Sequence, residues 1–82
     1  MPYVYILQCS DGTYYTGYAV DLEKRLQQHQ SGTACKYTRG RRPVVLVYRE
    51  ELASKGQAMS REIQIKKMPR SQKERLIESL RT

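Results

Sequence analysis

YVYILQCSDGTYYTGY, residues 3–18, decides the fold. Its first part, Tyr3 to Cys9, is β-branched and aromatic, the pattern of a strand buried on both faces and therefore central in its sheet. Ser10-Asp11-Gly12 is a hairpin turn signal. TYYTGY, residues 13–18, forms the return strand, and Gly17 near its end marks a bulge or a close backbone approach. The parity of the loop decides which side chains share a face. A two-residue Asp-Gly turn would send Tyr5 and Tyr15 to opposite faces, because a one-residue slip reverses every side chain. A three-residue Ser-Asp-Gly loop, with Gly12 left-handed and a bulge, puts them on the same face.

Outward from the hairpin, Asp21 caps a helix, DLEKRLQQHQ, that stops at Ser31-Gly32. Residues 33–42, TACKYTRGRR, have no period and are read as a loop. Pro43 opens a third strand, VVLVYRE. A second helix runs from about Ala53 to Met68, where Pro69 ends it. The last helix, SQKERLIESL, has Leu76, Ile77 and Leu80 as its apolar face. The order is ββαβαα: one three-stranded sheet with helices packed around it, an α+β domain. A chain of 82 residues allows one domain, 1–82. A domain this small buries only about 60% of the surface its unfolded chain exposes. Any polar residue on an apolar face therefore needs an explanation.

Fifteen Lys and Arg against eight Asp and Glu give a net charge of +7, which attracts polyanions. Nucleic acid is the first candidate and an anionic membrane surface the rival. No stretch is long enough to span a bilayer. The N-terminus lacks the basic region and extended apolar run of a signal peptide, so the expected location is the cytoplasm. Cys9 and Cys35 lie in no CxxC pair and only one histidine is present. A structural zinc site is not expected, and both cysteines are read as reduced thiols.

Four features bear on chemistry. The chain has seven Tyr and no Phe or Trp. Each Tyr could owe its place to β propensity with its hydroxyl at the surface, yet a core indifferent to hydroxyls would use some Phe. On the first helix, Leu22 and Leu26 lie about 40° apart at 100° per residue, His29 falls within about 20° of Leu22 on the same stripe and Arg25 lies beside it. A satisfied core histidine with a snorkelling arginine is one account; a proton carrier and a cation facing a cleft is the other. On the second helix, Ala58, Met59, Ile63 and Ile65 define the apolar side and Glu62 sits within it. A carboxylate there is costly unless paired or metal-bound, and Lys66 is in range for an i,i+4 pair. Finally, Lys36, Arg39, Arg41 and Arg42 crowd the loop before the third strand, with Tyr37 among them. Lys66, Lys67, Arg70, Lys73 and Arg75 crowd the last two helices. Such runs are usually solvated faces, and a phosphate-binding rim is the alternative.

These residues together resemble the GIY-YIG nucleases. YVY at 3–5 and YTG at 15–17 stand where the family carries its paired motifs. The likeness continues through Asp21-Leu22-Glu23-Lys24-Arg25-Leu26 to His29, and again from Arg61 to Lys66. It covers essentially the whole chain and is closest to small stand-alone bacterial members, more distantly to the N-terminal domain of the excision-repair enzyme UvrC. The resemblance implies a mostly antiparallel three-stranded sheet and hydrolysis of a DNA phosphodiester with one divalent metal, Mg²⁺ or Mn²⁺. Tyr5 and Tyr15 become the motif tyrosines, Arg25 the helix arginine, and His29 stands where relatives carry Tyr or His. Glu62 becomes the metal ligand. Tyr15 is the expected proton acceptor for the attacking water, helped by a cation or by His29, with Tyr5 orienting water or phosphate. Lys36, Arg39, Arg41, Arg42, Lys66, Lys67 and Arg70 are the expected nucleic-acid rim. Tyr18 stands where several relatives carry Lys, and the chain contains no Asn. The expected partner is DNA, with RNA an open alternative, no membrane, and protein partners unspecified. The rival functions are a non-catalytic nucleic-acid-binding module on the same fold, and an interaction domain that recruits a larger assembly.

Overall fold

The computed structural model describes residues 2–81, with the side chain of residue 81 left aside. Strand β1 (Tyr3–Gln8) is central, between β2 (Tyr14–Ala19) and β3 (Val45–Glu51), and pairs antiparallel with both. The alternation of β1 builds two cores. Val4 and Ile6 pack with Tyr48, Ala58, Ile65 and Ile77 on one face. Tyr5, Leu7 and Cys9 pack with Ala19, Leu22 and Val44 on the other. A strand that feeds two cores can carry no charge, which is why its sequence lacks polar alternation.

The hairpin loop is the three-residue form. Tyr5 stands opposite Gly17 and Leu7 opposite Tyr15. The Cys9 N–H donates to the Thr13 carbonyl at 2.8 Å, and Gly12 is left-handed at φ 86°. Both motif tyrosines consequently lie on the same face, toward the first helix. On the other side of β1, Ile6 pairs with Tyr48 and Leu7 with Leu46, so Val47 is an extra residue in a bulge.

Helix α1 (Leu22–Ser31) starts at Asp21, whose carboxylate accepts from the Lys24 N–H at 3.1 Å, and ends at left-handed Gly32. The segment read as a loop contains a single helical turn, α2 (Lys36–Arg39). Four residues show no period, and the turn is anchored by a polar side chain, fully buried Thr38. Helix α3 (Lys55–Lys66) begins two residues later than expected because Ser54 is its cap, accepting from the Gln57 N–H at 3.2 Å. It packs on β2 and β1, while α4 (Arg70–Arg81) packs on β3. Three residues expected on apolar faces are exposed: Met59, Ile63 and Leu80. The buried stripe of α3 follows Ala58 and Ile65, with Arg61 and Glu62 half-buried between them. Met59 and Ile63 each lie one residue, about 100°, off that line. No helix among the described residues is long and apolar enough to cross a membrane.

Thr16 on β2 is buried, and its hydroxyl has no hydrogen-bond partner among the described residues. An unpaired buried hydroxyl is unfavourable, and the isosteric apolar side chain removes that cost. Thr16→Val should therefore raise the unfolding free energy by about 1 kcal/mol in urea titration. A lower midpoint would show that the hydroxyl has a partner in solution.

Candidate active site

Three elements meet at one cleft of about 410 Å³. The hairpin supplies Tyr5, Tyr15, Gly17 and Tyr18. The exposed side of α1 supplies Asp21, Lys24, Arg25 and Gln28, spaced so that they share a helix face. Glu62 comes from α3, which packs at the β2 edge of the sheet. The fold thus brings Tyr5, Tyr15, Arg25 and Glu62 together, although 57 positions separate the first from the last.

Behind the cleft lies a buried polar chain. The Tyr5 hydroxyl is 2.8 Å from His29 Nε2, and His29 Nδ1 is 2.9 Å from the Thr38 hydroxyl. The Thr38 hydroxyl is also 3.4 Å from Cys35 Sγ. Tyr15 meets the edge of the His29 ring with centroids 5.2 Å apart, and the rings of Tyr37 and Tyr5 lie 5.6 Å and 6.4 Å away. His29 is a satisfied buried histidine that neighbours both tyrosines from behind and does not itself line the cleft. Its hydrogen bond goes to Tyr5 and not to Tyr15.

Gly17 is required by this packing. A Cβ there would lie 2.7 Å from the Tyr5 hydroxyl oxygen and 3.1 Å from Tyr15 Cε2. The Tyr5 ring lies across the backbone of its cross-strand neighbour, and only glycine leaves room for it.

Burial sets the protonation states. It pushes the Tyr5 phenol upward, the nearby Tyr15 adds to this, and the Arg25 guanidinium pulls the other way. Tyr15 is pushed up to about 12 by burial, by its hydrogen bond to Cys35 and by the charge of Glu62, against a pull from Arg25. His29 is pushed down by burial and by Arg25, so its ring is neutral near pH 7. Burial also opposes ionisation of the Cys35 thiol. Hydrogen bonds from the Thr38 hydroxyl and N–H, the Tyr15 hydroxyl and the Tyr37 N–H outweigh it, and the thiol lies below its ordinary value.

Glu62 is the carboxylate with room to act. Its side chain is only 17% exposed, and it faces Lys66 Nζ at 3.8 Å, the i,i+4 pair allowed by its spacing. That contact is long, and it leaves carboxylate oxygen toward the cleft. The Asp21 carboxylate is engaged in capping α1. No group of three or more His, Cys, Asp or Glu among the described residues could cage a metal. One carboxylate beside hydroxyl oxygens suits a hard ion that keeps most of its own water, and such a donor set fits Mg²⁺ or Mn²⁺.

The expected basic rim does not line this cleft. Arg39 donates to the Gly32 carbonyl, and Arg42 to the carbonyls of Arg39 and Gln30. Arg41 donates to Asp11 and to the Tyr37 carbonyl while stacking on the Tyr37 ring at 4.2 Å. These guanidinia tie the segment between α1 and β3 together, and their charge remains at the surface. Arg70 pairs with Glu74 and stacks on Tyr14 at 4.5 Å. Lys36 and Lys67 have no ion pair among the described residues, while Lys66 faces Glu62. Lys24 and Gln28 are cleft residues that the sequence reading passed over. Their spacing from Asp21 on a capped helix was the available signal. Cys35 and Thr38 gave no such signal.

The GIY-YIG catalytic domain model matches residues 1–75. The UPF0213 protein of Halobacterium salinarum is 53% identical over 76 residues, spanning 93% of this chain and 99% of that one. The UPF0213 protein of Syntrophus aciditrophicus is 57% identical over 76 residues, spanning 92% and 87%. The solution structure of the UPF0213 protein from Bacillus halodurans superposes with a TM-score of 0.61 at 47% identity, over 95% of this chain and 84% of that chain.

Gly17→Ala should cost about 1–3 kcal/mol by overpacking and shift the His29 ring resonances, as Tyr5 is driven off its partner. Urea unfolding and NMR of the folded variant read the two effects. Unmoved His29 resonances would mean that the tyrosine is not seated on Gly17. Arg42→Ala should cost about 1–2 kcal/mol, since two backbone carbonyls lose their donor, whereas Lys36→Ala should stay within about 0.5 kcal/mol. Equal effects would contradict the tying role of Arg42.

Proposed function

The chain belongs to the GIY-YIG nuclease family, and on that premise we propose that it is a divalent-metal-dependent endonuclease hydrolysing DNA phosphodiester bonds. The observation that carries the reading is the convergence of Tyr5, Tyr15, Arg25 and Glu62 on one cleft of a domain with net charge +7. Its substrate is selected by structure rather than by base sequence, because phosphate contacts position a protein without reading bases. The proposed setting is DNA repair or processing in the cytoplasm.

Each side chain has one task. Arg25 holds a phosphate oxygen through charge-assisted hydrogen bonds, and Lys24 on the same helix face adds positive potential. Glu62 is the residue that would hold Mg²⁺ or Mn²⁺, which when bound supplies Lewis-acid polarisation of phosphate oxygen. Tyr15, the motif tyrosine only partly buried, is the one a water in the cleft can reach, and it takes the proton from that water. Its phenol is neutral at pH 7, and the charge of Glu62 is one cause of this. Neutralising Glu62 removes that cause and favours the phenolate. Tyr5, fully buried and bonded to His29, lies behind and steadies the guanidinium of Arg25. The loop and helix cations, Lys36, Arg39, Arg41, Arg42, Lys66, Lys67 and Arg70, contribute the field that draws in the backbone.

The test is cleavage of labelled single-stranded, duplex and flapped DNA, with RNA alongside, in Mg²⁺ or Mn²⁺. Glu62→Ala and Tyr15→Phe should each lower the rate at least about 100-fold while binding persists. A phenol with a raised pKa is mostly protonated at neutrality, and its basic form increases with pH. The wild-type rate should therefore climb between about pH 7 and 9, by up to about tenfold per unit. No cleavage of any substrate, with binding unchanged by Glu62→Ala, would replace this reading with a non-catalytic binding module.

A further inference from the structure

Every donor in the buried chain behind the cleft must find an acceptor, and that requirement fixes where the protons sit. Tyr5 is 0% exposed, so water does not satisfy its hydroxyl. Its neighbour Arg25 is donor-only and cannot accept the phenol hydrogen, and its charge favours the phenolate. The acceptor left for the Tyr5 hydrogen is His29 Nε2, at 2.8 Å. Were Nε2 to carry the ring proton, the Tyr5 oxygen would accept from it and the phenol hydrogen would be stranded, at the full cost of a buried unpaired donor. His29 is neutral and carries one ring proton, which must then be on Nδ1. Nδ1 is 2.9 Å from the Thr38 hydroxyl, which therefore accepts. The Thr38 hydrogen is in turn free to point at Cys35 Sγ, 3.4 Å away. Every donor finds an acceptor in this direction, whereas the reverse direction leaves the Tyr5 hydrogen without one.

We propose that Thr38 is a positioning residue of the active site: it holds His29 with its proton on Nδ1, which makes Tyr5 a donor to the ring and turns the phenol lone pairs toward Arg25. The catalytic consequence rests on the nuclease reading above; the proton placement does not. Thr38 touches neither cleft nor substrate. It acts through two intermediaries on the guanidinium that receives the phosphate. A neutral His29 is part of the device, since an imidazolium would donate on both sides and add a charge beside Arg25. A partner of this kind orients a ring by occupying the nitrogen it does not use in the site.

The experiment is a long-range ¹H–¹⁵N correlation spectrum of the full-length protein at neutral pH, which distinguishes a protonated from an unprotonated ring nitrogen. Wild type should show His29 protonated on Nδ1 and unprotonated on Nε2. Thr38→Val keeps the shape but has no acceptor, and should shift the ring toward the Nε2-protonated form. Thr38→Ser should restore the wild-type pattern. In the cleavage assay Thr38→Val should lose about 10–100-fold and Thr38→Ser should recover it. A wild-type ring protonated on Nε2 overturns the inference, and so does Thr38→Val cleaving at the wild-type rate. The wild-type spectrum alone decides the proton placement, whether or not Thr38→Val folds. If the protein cleaves nothing, the nuclease reading fails, and the spectra of wild type, Thr38→Val and Thr38→Ser still judge the positioning of His29.

Discussion

A phenol with no exposure to water needs a hydrogen-bond partner inside the protein, and the Tyr5 hydroxyl finds it at His29. Much of the site follows from that contact. Tyr5 can reach His29 only from the face of β1 that α1 covers. The ring can pass over β2 only because its cross-strand neighbour is Gly17. Tyr15 shares the face only because the hairpin loop has three residues, with Gly12 left-handed. His29 in turn is held by Thr38, a residue of the one-turn helix α2. Turn geometry, a glycine, a helix register and a buried threonine all serve one hydrogen-bonded pair.

The electrostatic layout divides the basic residues into two kinds. Lys24 and Arg25 project from α1 into the cleft, where Glu62 provides the opposite charge. Arg39, Arg41 and Arg42 instead donate to backbone carbonyls and to Asp11. Arginine suits this second task because its planar fork satisfies several acceptors while its charge stays on. The same residues can tie a segment down and still contribute to the positive field, whereas lysine would do the second and rarely the first.

The parts of this structure visible in the sequence are those with a period or a punctuation mark. The apolar run of β1 announced a central strand, Asp21 and Gly32 bracketed α1, and the Ser-Asp-Gly loop carried the choice of hairpin parity. The interior placement of Glu62 was legible from helical spacing. The exposure of Met59, Ile63 and Leu80 was not, because an apolar residue carries no mark of which neighbour covers it. Helix α2 was invisible for a different reason. Its contribution is a buried hydroxyl that depends on His29, nine positions earlier, and hydrogen bonds between side chains leave no pattern in the chain. Periodicity reports which face is buried and is silent about which polar atoms meet there.

Order at the site and basicity at the site oppose one another. Burial positions Tyr5, Tyr15 and His29 with little freedom, and the same burial keeps both phenols protonated and the imidazole uncharged. Glu62 adds to the effect on Tyr15, since a carboxylate beside a phenol disfavours the phenolate. Two positive partners can reverse it. Arg25 is already in place and pulls both tyrosines down, insufficiently by itself. On the reading proposed above, a cation held by Glu62 would be the second, cancelling a raising influence and adding a lowering one. The one carboxylate of the cleft that is not engaged in a helix cap stands where a cation would most change the acidity of Tyr15. A cation there would favour the Tyr15 phenolate while the buried cluster behind it keeps its order.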